Sequence, residues 1–226
     1  MARVGRRSTQ KEVDRKRTTR WVALGVAIAV VLIAGVVFLA RPQPVEPLSI
    51  ADDPTIGNTS APVTAFLFAD YQCPYCRNFE TGGALARLER DYVTPGKVLI
   101  VWKDFAFIGE DSWHAAVASD FVWRTAPASW SHWNQGLFGI QGAERSGWAS
   151  VDNLVSYSAK DPTINASALR DVLVKDDRSL PLGDVRAGRD HGVSGTPSFV
   201  ISGHVINALD DKAVRAALDA ALGGVP

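Results

Sequence analysis

The stretch Ala69-Asp70-Tyr71-Gln72-Cys73-Pro74-Tyr75-Cys76 holds the only two cysteines among 226 residues. Before it, the apolar residues 63–68 predict a buried strand; after it, the pattern of residues 74–92 predicts a helix. The Cys-x-x-Cys spacing therefore brings two sulfur atoms together at the first turn of a helix. Unpaired backbone N–H groups and the helix dipole favour a negative charge at that position. The sequence thus predicts that Cys73 is a stabilised thiolate, which is the reactive form of cysteine.

A purely structural role explains this cysteine pair poorly. A disulfide that closes so short a loop adds little stability, and a zinc site would need two further ligands. The histidines, which could supply them, show no ligand-like spacing: His114, His132, His191 and His204. We therefore expect a redox-active Cys73–Cys76 pair, with no metal and no cofactor.

The N-terminal 40 residues predict attachment to a membrane. Residues 1–20 hold eight Lys and Arg against two acidic residues, and residues 21–40 contain neither a charge nor a proline. A helix of 20 residues is about 30 Å long, which is enough to cross the hydrocarbon core of a bilayer. Basic residues before such a span favour a cytoplasmic N-terminus. We expect a cytoplasmic tail, one transmembrane anchor in contact with lipid, and a body outside the cytoplasm.

A cleaved signal peptide, which would leave a secreted protein, is the alternative. The apolar run is longer than the usual ~7–15 residues of a signal peptide, and residues 38–40 lack the small-x-small pattern of a cleavage site. The chain beyond residue 20 has sixteen basic and twenty-two acidic residues, a formal charge of −6. This acidic body provides no surface for nucleic acid.

The rest of the chain predicts an α/β domain. Residues 41–60 are rich in proline and turn residues and predict a linker, which is followed by a domain over residues 61–226. Residues 97–102 predict a second strand, parallel to the first and joined to it by a right-handed crossover. The crossover helix should bend at Gly82-Gly83. Residues 108–192 look helical in pieces, followed by a hairpin over residues 198–206 and a last helix capped by Asp210 or Asp211.

Most of the seven tryptophans fall in the helical region. They could fill a small helical core, or some of them could form an exposed surface for substrate. We favour the core.

Two motifs in this order resemble the DsbA-like thiol:disulfide oxidoreductases, in particular the membrane-anchored bacterial type. The first is Phe68 to Cys76, and the second, about 120 residues later, is Gly192-Val193-Ser194-Gly195-Thr196-Pro197-Ser198-Phe199-Val200. The resemblance covers roughly residues 60–222. It implies a thioredoxin fold with a helical insertion at about residues 108–192.

The resemblance also implies roles for individual residues. Cys73 would be the exposed nucleophile and Cys76 its resolving partner, with Pro74 and Tyr75 between them. Thr196 and Pro197 would form a cis-proline loop that faces the disulfide and binds the substrate. Tyr75 replaces the histidine of the most oxidising members, which implies a less acidic thiolate.

A buried acid often lies six residues before the nucleophile in thioredoxin-like proteins, and Leu67 occupies that position here. Asp70 is nearer the motif. It could serve in proton transfer or simply face solvent.

The function that follows is an extracytoplasmic oxidase that introduces disulfides into exported proteins. The resemblance implies a quinone-linked membrane protein as the partner that restores the oxidised state. A reductase or isomerase of exported proteins is an alternative, because the direction of exchange depends on potential and partner. A non-catalytic binding module or chaperone is a further alternative, although two intact cysteines argue against it.

Overall fold

The sheet of this protein has five strands in the order β1-β3-β2-β4-β5. A computed structural model describes residues 45–224 together with Leu32. β2 and β3 are parallel, as predicted, and the other neighbouring pairs are antiparallel. The strands are β1 (Thr55–Ile56), β2 (Val63–Ala69), β3 (Val98–Asp104), β4 (Ser198–Ile201) and β5 (His204–Asn207).

β2 lies at the centre of this sheet, as the apolar run before the cysteines predicts. Its neighbours are β3 on one side and β4 on the other, so that Ala65 pairs with Ile100 and with Ile201. Leu67 and Phe68 are fully buried. A strand buried on both faces needs apolar residues at successive positions, and residues 63–69 supply them.

Residues 45–224 contain eight helices, and five of these form an insertion between β3 and β4. A π-helical turn, Glu89–Val93, follows the second helix. The helices are α1 (Pro74–Thr81), α2 (Ala84–Leu88), α3 (Glu110–Thr125), α4 (Pro127–Gly139), α5 (Val151–Ser158), α6 (Ala166–Lys175), α7 (Ser179–Asp190) and α8 (Asp211–Gly223). α8 is capped by Asp210, whose side chain accepts a hydrogen bond from Ala213 N at 3.0 Å.

The bend predicted at the glycine pair is a complete break between α1 and α2. Gly83 has a φ of 81°, in the left-handed region that favours glycine. A Cβ at Gly82 would lie 2.4 Å from Asn78 O, closer than any side chain tolerates. The helix that carries the cysteines therefore ends at Thr81, and a separate helix begins at Ala84.

The N-terminal part of the chain differs from the predicted division in one respect. β1 lies inside residues 41–60, the predicted linker, and it pairs with β3 through Thr55 and Val101. The predicted tail (residues 1–20) and the predicted anchor (residues 21–40) lie outside the described residues, apart from Leu32. Among the described residues, no helix is both long enough and apolar enough to cross a membrane.

An aromatic cluster joins the sheet to the insertion. The ring of Tyr71 stacks on Phe138 of α4, with centroids 4.9 Å apart, and Trp102 of β3 meets Trp130 of α4 edge to face at 5.7 Å. Trp102, Trp130 and Trp133 are each at most 3% exposed. The interpretation that the tryptophans of the helical region fill a core is confirmed for Trp130 and Trp133.

Candidate active site

Cys73 is the residue that precedes the first turn of α1. Its backbone is extended (φ −72°, ψ 118°), and Pro74 is the first helical residue. Proline is suited to this position because its missing N–H would have had no partner within the helix. Cys73 O accepts a hydrogen bond from Arg77 N at 3.1 Å, which begins the helical ladder. Both cysteines are free thiols in this structure.

Cys73 is less accessible than the resemblance implies. It is 5% exposed and Cys76 is 1% exposed, so both cysteines are buried. The prediction of an exposed Cys73 is correct only in that Cys73 is the more exposed of the two. The cover comes from the loop before β4, where Thr196 O accepts a hydrogen bond from Cys73 Sγ at 3.4 Å. Tyr75, between the cysteines, is 61% exposed and forms part of the surface instead.

The two thiols differ strongly in acidity. The pKa of Cys73 is lowered to about 6, chiefly by a hydrogen bond from the Cys76 thiol. Thr196 and the N–H groups of Tyr75 and Cys76 lower this pKa further, against the opposing effect of burial. Burial raises the pKa of Cys76 well above its ordinary value, and the neighbouring Cys73 sulfur raises it further. The pair therefore combines one thiolate at neutral pH with one protonated thiol.

The second motif meets the first because β4 pairs with β2. Ser198 lies opposite Phe68, so the residues before β4 reach the end of β2 where the cysteines begin. The Thr196–Pro197 peptide bond is cis. The loop is closed by a hydrogen bond from Ser198 Oγ to Gly195 O at 2.7 Å.

Asp70 does not face solvent, because it is 1% exposed. Its Oδ1 accepts hydrogen bonds from Gln72 N at 2.8 Å and from Ser112 Oγ at 2.6 Å. Its Oδ2 accepts from Phe107 N at 2.9 Å and Ile108 N at 3.2 Å. Burial raises the pKa of Asp70, and these four hydrogen bonds oppose the rise. The carboxylate ties the turn before Cys73 to the start of the insertion.

Two glutamines that the sequence analysis did not single out also hold this turn. Gln141, in the loop after α4, donates from Nε2 to Tyr71 O at 2.6 Å and to Cys73 O at 3.1 Å. Gln72 donates to Ser112 Oγ at 2.9 Å and accepts from the backbone N–H of Arg145. Gln72 lies within the motif, but no pattern in the sequence marks Gln141, since its partners are backbone atoms 68 and 70 residues away.

A buried acid lies one turn after Cys76 on α1. Glu80 is 4% exposed, and burial together with Glu89 raises its pKa to about 8. Its Oε1 accepts a hydrogen bond from Asn134 Nδ2 at 3.3 Å, and Asn134 Oδ1 accepts one from Tyr71 OH at 2.6 Å. An acid on the apolar face of a predicted helix is the signal that could have found it.

Comparison with known proteins agrees with this geometry. A family model described as Thioredoxin matches residues 49–220, which is most of the chain. The chain belongs to this thioredoxin family. Disulfide bond formation protein D of Bacillus subtilis is 26% identical over 178 residues, which cover 78% of this chain and 80% of that protein. A probable disulfide bond formation protein D of Bacillus cereus is 26% identical over 212 residues, 90% of this chain and 97% of that protein.

Solved structures of similar proteins share this fold. Oxidised BdbD from Bacillus subtilis has a TM-score of 0.74 and 26% identity, over 81% of this chain and all of that one. DsbA from Chlamydia trachomatis has a TM-score of 0.67 over 80% of this chain and 96% of that one. At 19% identity it shows the fold alone. The protein is a DsbA-like thiol:disulfide oxidoreductase.

Enzymes of this group work through the cysteine pair and need no cofactor. Within residues 45–224, no group of three or more His, Cys, Asp and Glu side chains is arranged to hold a metal ion.

Proposed function

We propose that this DsbA-like protein is an oxidase that introduces disulfides into exported proteins outside the cytoplasm. The observation that carries the proposal is the position of Cys73 at the start of α1, beside the Cys76 thiol and Thr196, an environment that lowers the pKa of Cys73 to about 6. A stabilised thiolate favours the reduced form of the enzyme, so its disulfide is readily given up to a substrate. A Cys73 thiolate is also a good leaving group, which speeds release of the oxidised product.

The reaction is two successive thiol–disulfide exchanges. A substrate thiolate attacks Cys73 Sγ of the oxidised enzyme; the new mixed disulfide forms and Cys76 leaves as a thiolate that takes up a proton. A second substrate thiolate then attacks the substrate sulfur of the mixed disulfide. The substrate disulfide forms, Cys73 leaves as a thiolate, and the two electrons remain on the Cys73–Cys76 pair.

The surroundings of Cys73 support binding of an extended, unfolded chain. Thr196 presents backbone groups beside the sulfur, and an extended chain can pair with such a loop edge. Tyr75, Phe107 and Ile140 are 61%, 45% and 51% exposed. The backbone N–H of Phe107 donates to Asp70, and Ile140 precedes the glutamine that donates to Cys73 O. These exposed apolar residues therefore lie on segments that are hydrogen-bonded to the active-site turn.

The redox potential of the pair tests the proposal. We expect the domain over residues 45–226 to have a potential above about −200 mV, nearer to the oxidants of this group than to thioredoxin at about −270 mV. It should oxidise a reduced, unfolded protein in stoichiometric amounts, and Cys76→Ser should instead accumulate mixed disulfides. A potential near that of thioredoxin, with preferential reduction of substrate disulfides, would favour the reductase alternative.

We infer that the N-terminal 40 residues attach this domain to the membrane with the catalytic part outside. The support is the uncharged run at residues 21–40 behind a basic tail. A reporter enzyme fused after residue 60 should be active only outside the cytoplasm and should fractionate with membranes. Activity in the cytoplasm contradicts the orientation, and a mature form that begins near residue 41 would indicate a cleaved signal.

A quinone-linked membrane protein would then reoxidise Cys73 and Cys76. The cysteine pair of a membrane-attached domain can reach such a partner by lateral diffusion. Depletion of quinone in cells should leave the pair reduced, which thiol trapping with a mass tag measures. A pair that stays oxidised without quinone argues for a different oxidant.

A further inference from the structure

Arg145 is held beside the active-site turn by both its backbone and its side chain. Its N–H donates to Gln72 Oε1, one residue before the nucleophile, and its Nε donates to Ile108 O at 2.8 Å. Its φ of 58° lies in the left-handed region, which costs a non-glycine residue about 1 kcal/mol or more. The surrounding contacts therefore impose a conformation that Arg145 would not adopt by itself.

The loop that carries Arg145 is fixed at several further points. Asp111 of α3 accepts hydrogen bonds from Gly147 N at 2.8 Å and from Ala149 N at 3.1 Å. Gln141, at the start of the loop, donates to Cys73 O. Arg145 itself is exposed. Its position relative to Cys73 is thus set by hydrogen bonds at both ends of the loop.

The guanidinium of Arg145 has no acidic partner among residues 45–224. Arg178 and Arg215, by contrast, each pair with two carboxylates: Arg178 with Glu110 and Asp176, and Arg215 with Asp91 and Asp211. The Nε of Arg145 donates to Ile108 O, and its two terminal nitrogens make no hydrogen bond to residues 45–224. A fixed guanidinium is suited to bind a carboxylate because little side-chain entropy remains to be lost.

We propose that Arg145 determines substrate specificity by binding a carboxylate of the substrate chain close to the reacting cysteine. The inference rests on the proposed exchange reaction but not on its direction. The body of the protein carries a formal charge of −6, so its overall electrostatic field repels acidic substrates. The fixed guanidinium of Arg145 beside the active-site turn replaces this repulsion with a local attraction for a carboxylate. The preferred substrate segment has apolar side chains next to its cysteine, which contact Tyr75, Phe107 and Ile140. It also has an Asp or Glu whose carboxylate reaches Arg145.

The test uses one defined exchange step. Cys76→Ser is converted to the mixed disulfide between Cys73 and thionitrobenzoate. The thiolate of a short cysteine peptide then displaces coloured thionitrobenzoate as the Cys73–peptide disulfide forms. Peptides are compared in pairs that differ only by Asp or Asn at one of the two positions on either side of the cysteine. Each rate is divided by that of the same peptide with a small aromatic disulfide, because a nearby carboxylate changes the thiol itself.

We expect Asp to be preferred over Asn by about two- to fivefold at one or two positions, which is the range of an exposed ion pair. The preference should lie in the half-saturating peptide concentration rather than in the maximal rate, and it should fall at 0.5 M salt, where the Debye length is shorter. Arg145→Gln should bring the ratio to about one. Arg145→Lys should keep part of the preference, since it retains the charge without the planar fork.

Arg77→Gln is the matched control, because Arg77 is also exposed and lies one turn after Cys73 on α1. It should leave most of the preference intact. The pKa of Cys73 and the unfolding midpoint are measured in each variant to show that the site is preserved. Equal rates for Asp and Asn peptides, or a loss in Arg77→Gln as large as in Arg145→Gln, would overturn the assignment. Absence of exchange with every peptide would overturn the proposed function as well.

Discussion

At the scale of single residues, Cys73 and Cys76 show how one motif yields two kinds of thiol. Cys73 begins the helix, where the N–H groups of Tyr75 and Cys76 have no helical partner and point towards its sulfur. Cys76 lies on the inner face of α1 with Phe79 and Glu80. Hydrogen bonding to the charged form lowers one pKa, and desolvation raises the other.

The acidity of Cys73 predicts a pH-dependent stability of the reduced protein. Its pKa is lowered from 9.0 to about 6 on folding, so the reduced fold gains stability as the pH rises from about 6 to about 9. The gain is lost as the pH falls through the pKa of the folded thiol. Urea unfolding at pH 5, 7 and 8.5 should show that the free energy of unfolding of the reduced protein, relative to that of the oxidised protein, increases with pH.

Cys73→Ser is the control, and the difference between its stability and that of the reduced wild type should grow over the same pH range. Alkylation of Cys73 should be half-maximal near pH 6 while Cys76 reacts slowly. A rate midpoint near pH 9 for Cys73 contradicts the assignment.

Thr196 provides a second prediction for the same thiol. Its Oγ1 is buried without a hydrogen-bond partner while Cys73 is protonated, yet its hydroxyl lowers the pKa of Cys73. The two observations agree if the hydroxyl turns to donate to the sulfur once the thiolate forms. Thr196→Val, which removes the donor at equal volume, should raise the pKa of Cys73.

Thr196→Ser keeps the hydroxyl and should keep the low pKa. The absorbance of the thiolate at 240 nm, followed across pH, measures both variants. Titration curves that coincide for Val and wild type would show that the hydroxyl has no such role.

At the scale of elements, the turn between β2 and α1 is held by the insertion. Asp70 accepts hydrogen bonds from two backbone N–H groups at positions 107 and 108 and from Ser112 of α3. Gln141 reaches the same turn from the loop after α4. The insertion therefore positions the helix that bears the nucleophile.

Asp70→Asn should destabilise the fold by about 2–4 kcal/mol. An amide has one acceptor oxygen, so it leaves donors of Phe107 and Ile108 or of Gln72 and Ser112 unpaired, at about 1–3 kcal/mol for each buried group. Urea unfolding measures the loss. Asp210→Asn, the same change at the exposed cap of α8, should cost far less because Asn and Asp cap helices about equally well. Similar losses of stability in the two variants would argue against the role of Asp70 in holding the turn between β2 and α1.

At the scale of the whole molecule, a buried ion cluster ties three parts of the chain together. Lys103 of β3 pairs with Asp53, which precedes β1, and with Asp184 of α7 at 3.0 Å. Burial lowers the pKa of Lys103, but the attraction of Asp184 and Asp53 outweighs it, and the pKa is raised overall. Asp184 also accepts a hydrogen bond from Asp104 N at 3.0 Å. The cluster joins the edge of the sheet to the end of the insertion.

Lys103→Met should therefore cost about 3–5 kcal/mol, since it leaves two buried carboxylates without their cation. Burial already raises the pKa of Asp53 to about 7, with Asp184 adding to the rise, and without Lys103 that pKa should rise further. Protonation of the two carboxylates at low pH then removes their uncompensated charge. The loss in free energy of unfolding of Lys103→Met, measured with urea, should therefore be larger at pH 8 than at pH 5.

The control for this prediction is Arg170→Met, which breaks the exposed pair with Asp152 and should cost less than about 1 kcal/mol. A deficit for Lys103→Met that does not depend on pH would contradict uncompensated carboxylates as its cause.

Local pattern in the sequence determined the elements and the cysteine site. The apolar run before Cys73 predicts the central strand, the glycine pair predicts a bend where the structure has a break, and Pro74 predicts the start of α1. Each depends on neighbouring residues alone, through backbone geometry or the burial of consecutive side chains. The resemblance added the loop at Pro197, which no local pattern connects to Cys73.

Only the tertiary structure decided what surrounds those elements. It placed Asp70 inside a set of four donors, buried Glu80 on the inner face of α1, and brought Gln141 and Arg145 to the active-site turn. It also made residues 55–56 one of the two edge strands of the sheet. These contacts join residues far apart in the chain or depend on the burial of a polar group. Hydrogen bonds to backbone atoms place no demand on the partner's side chain, so the sequence carries no pattern that marks them.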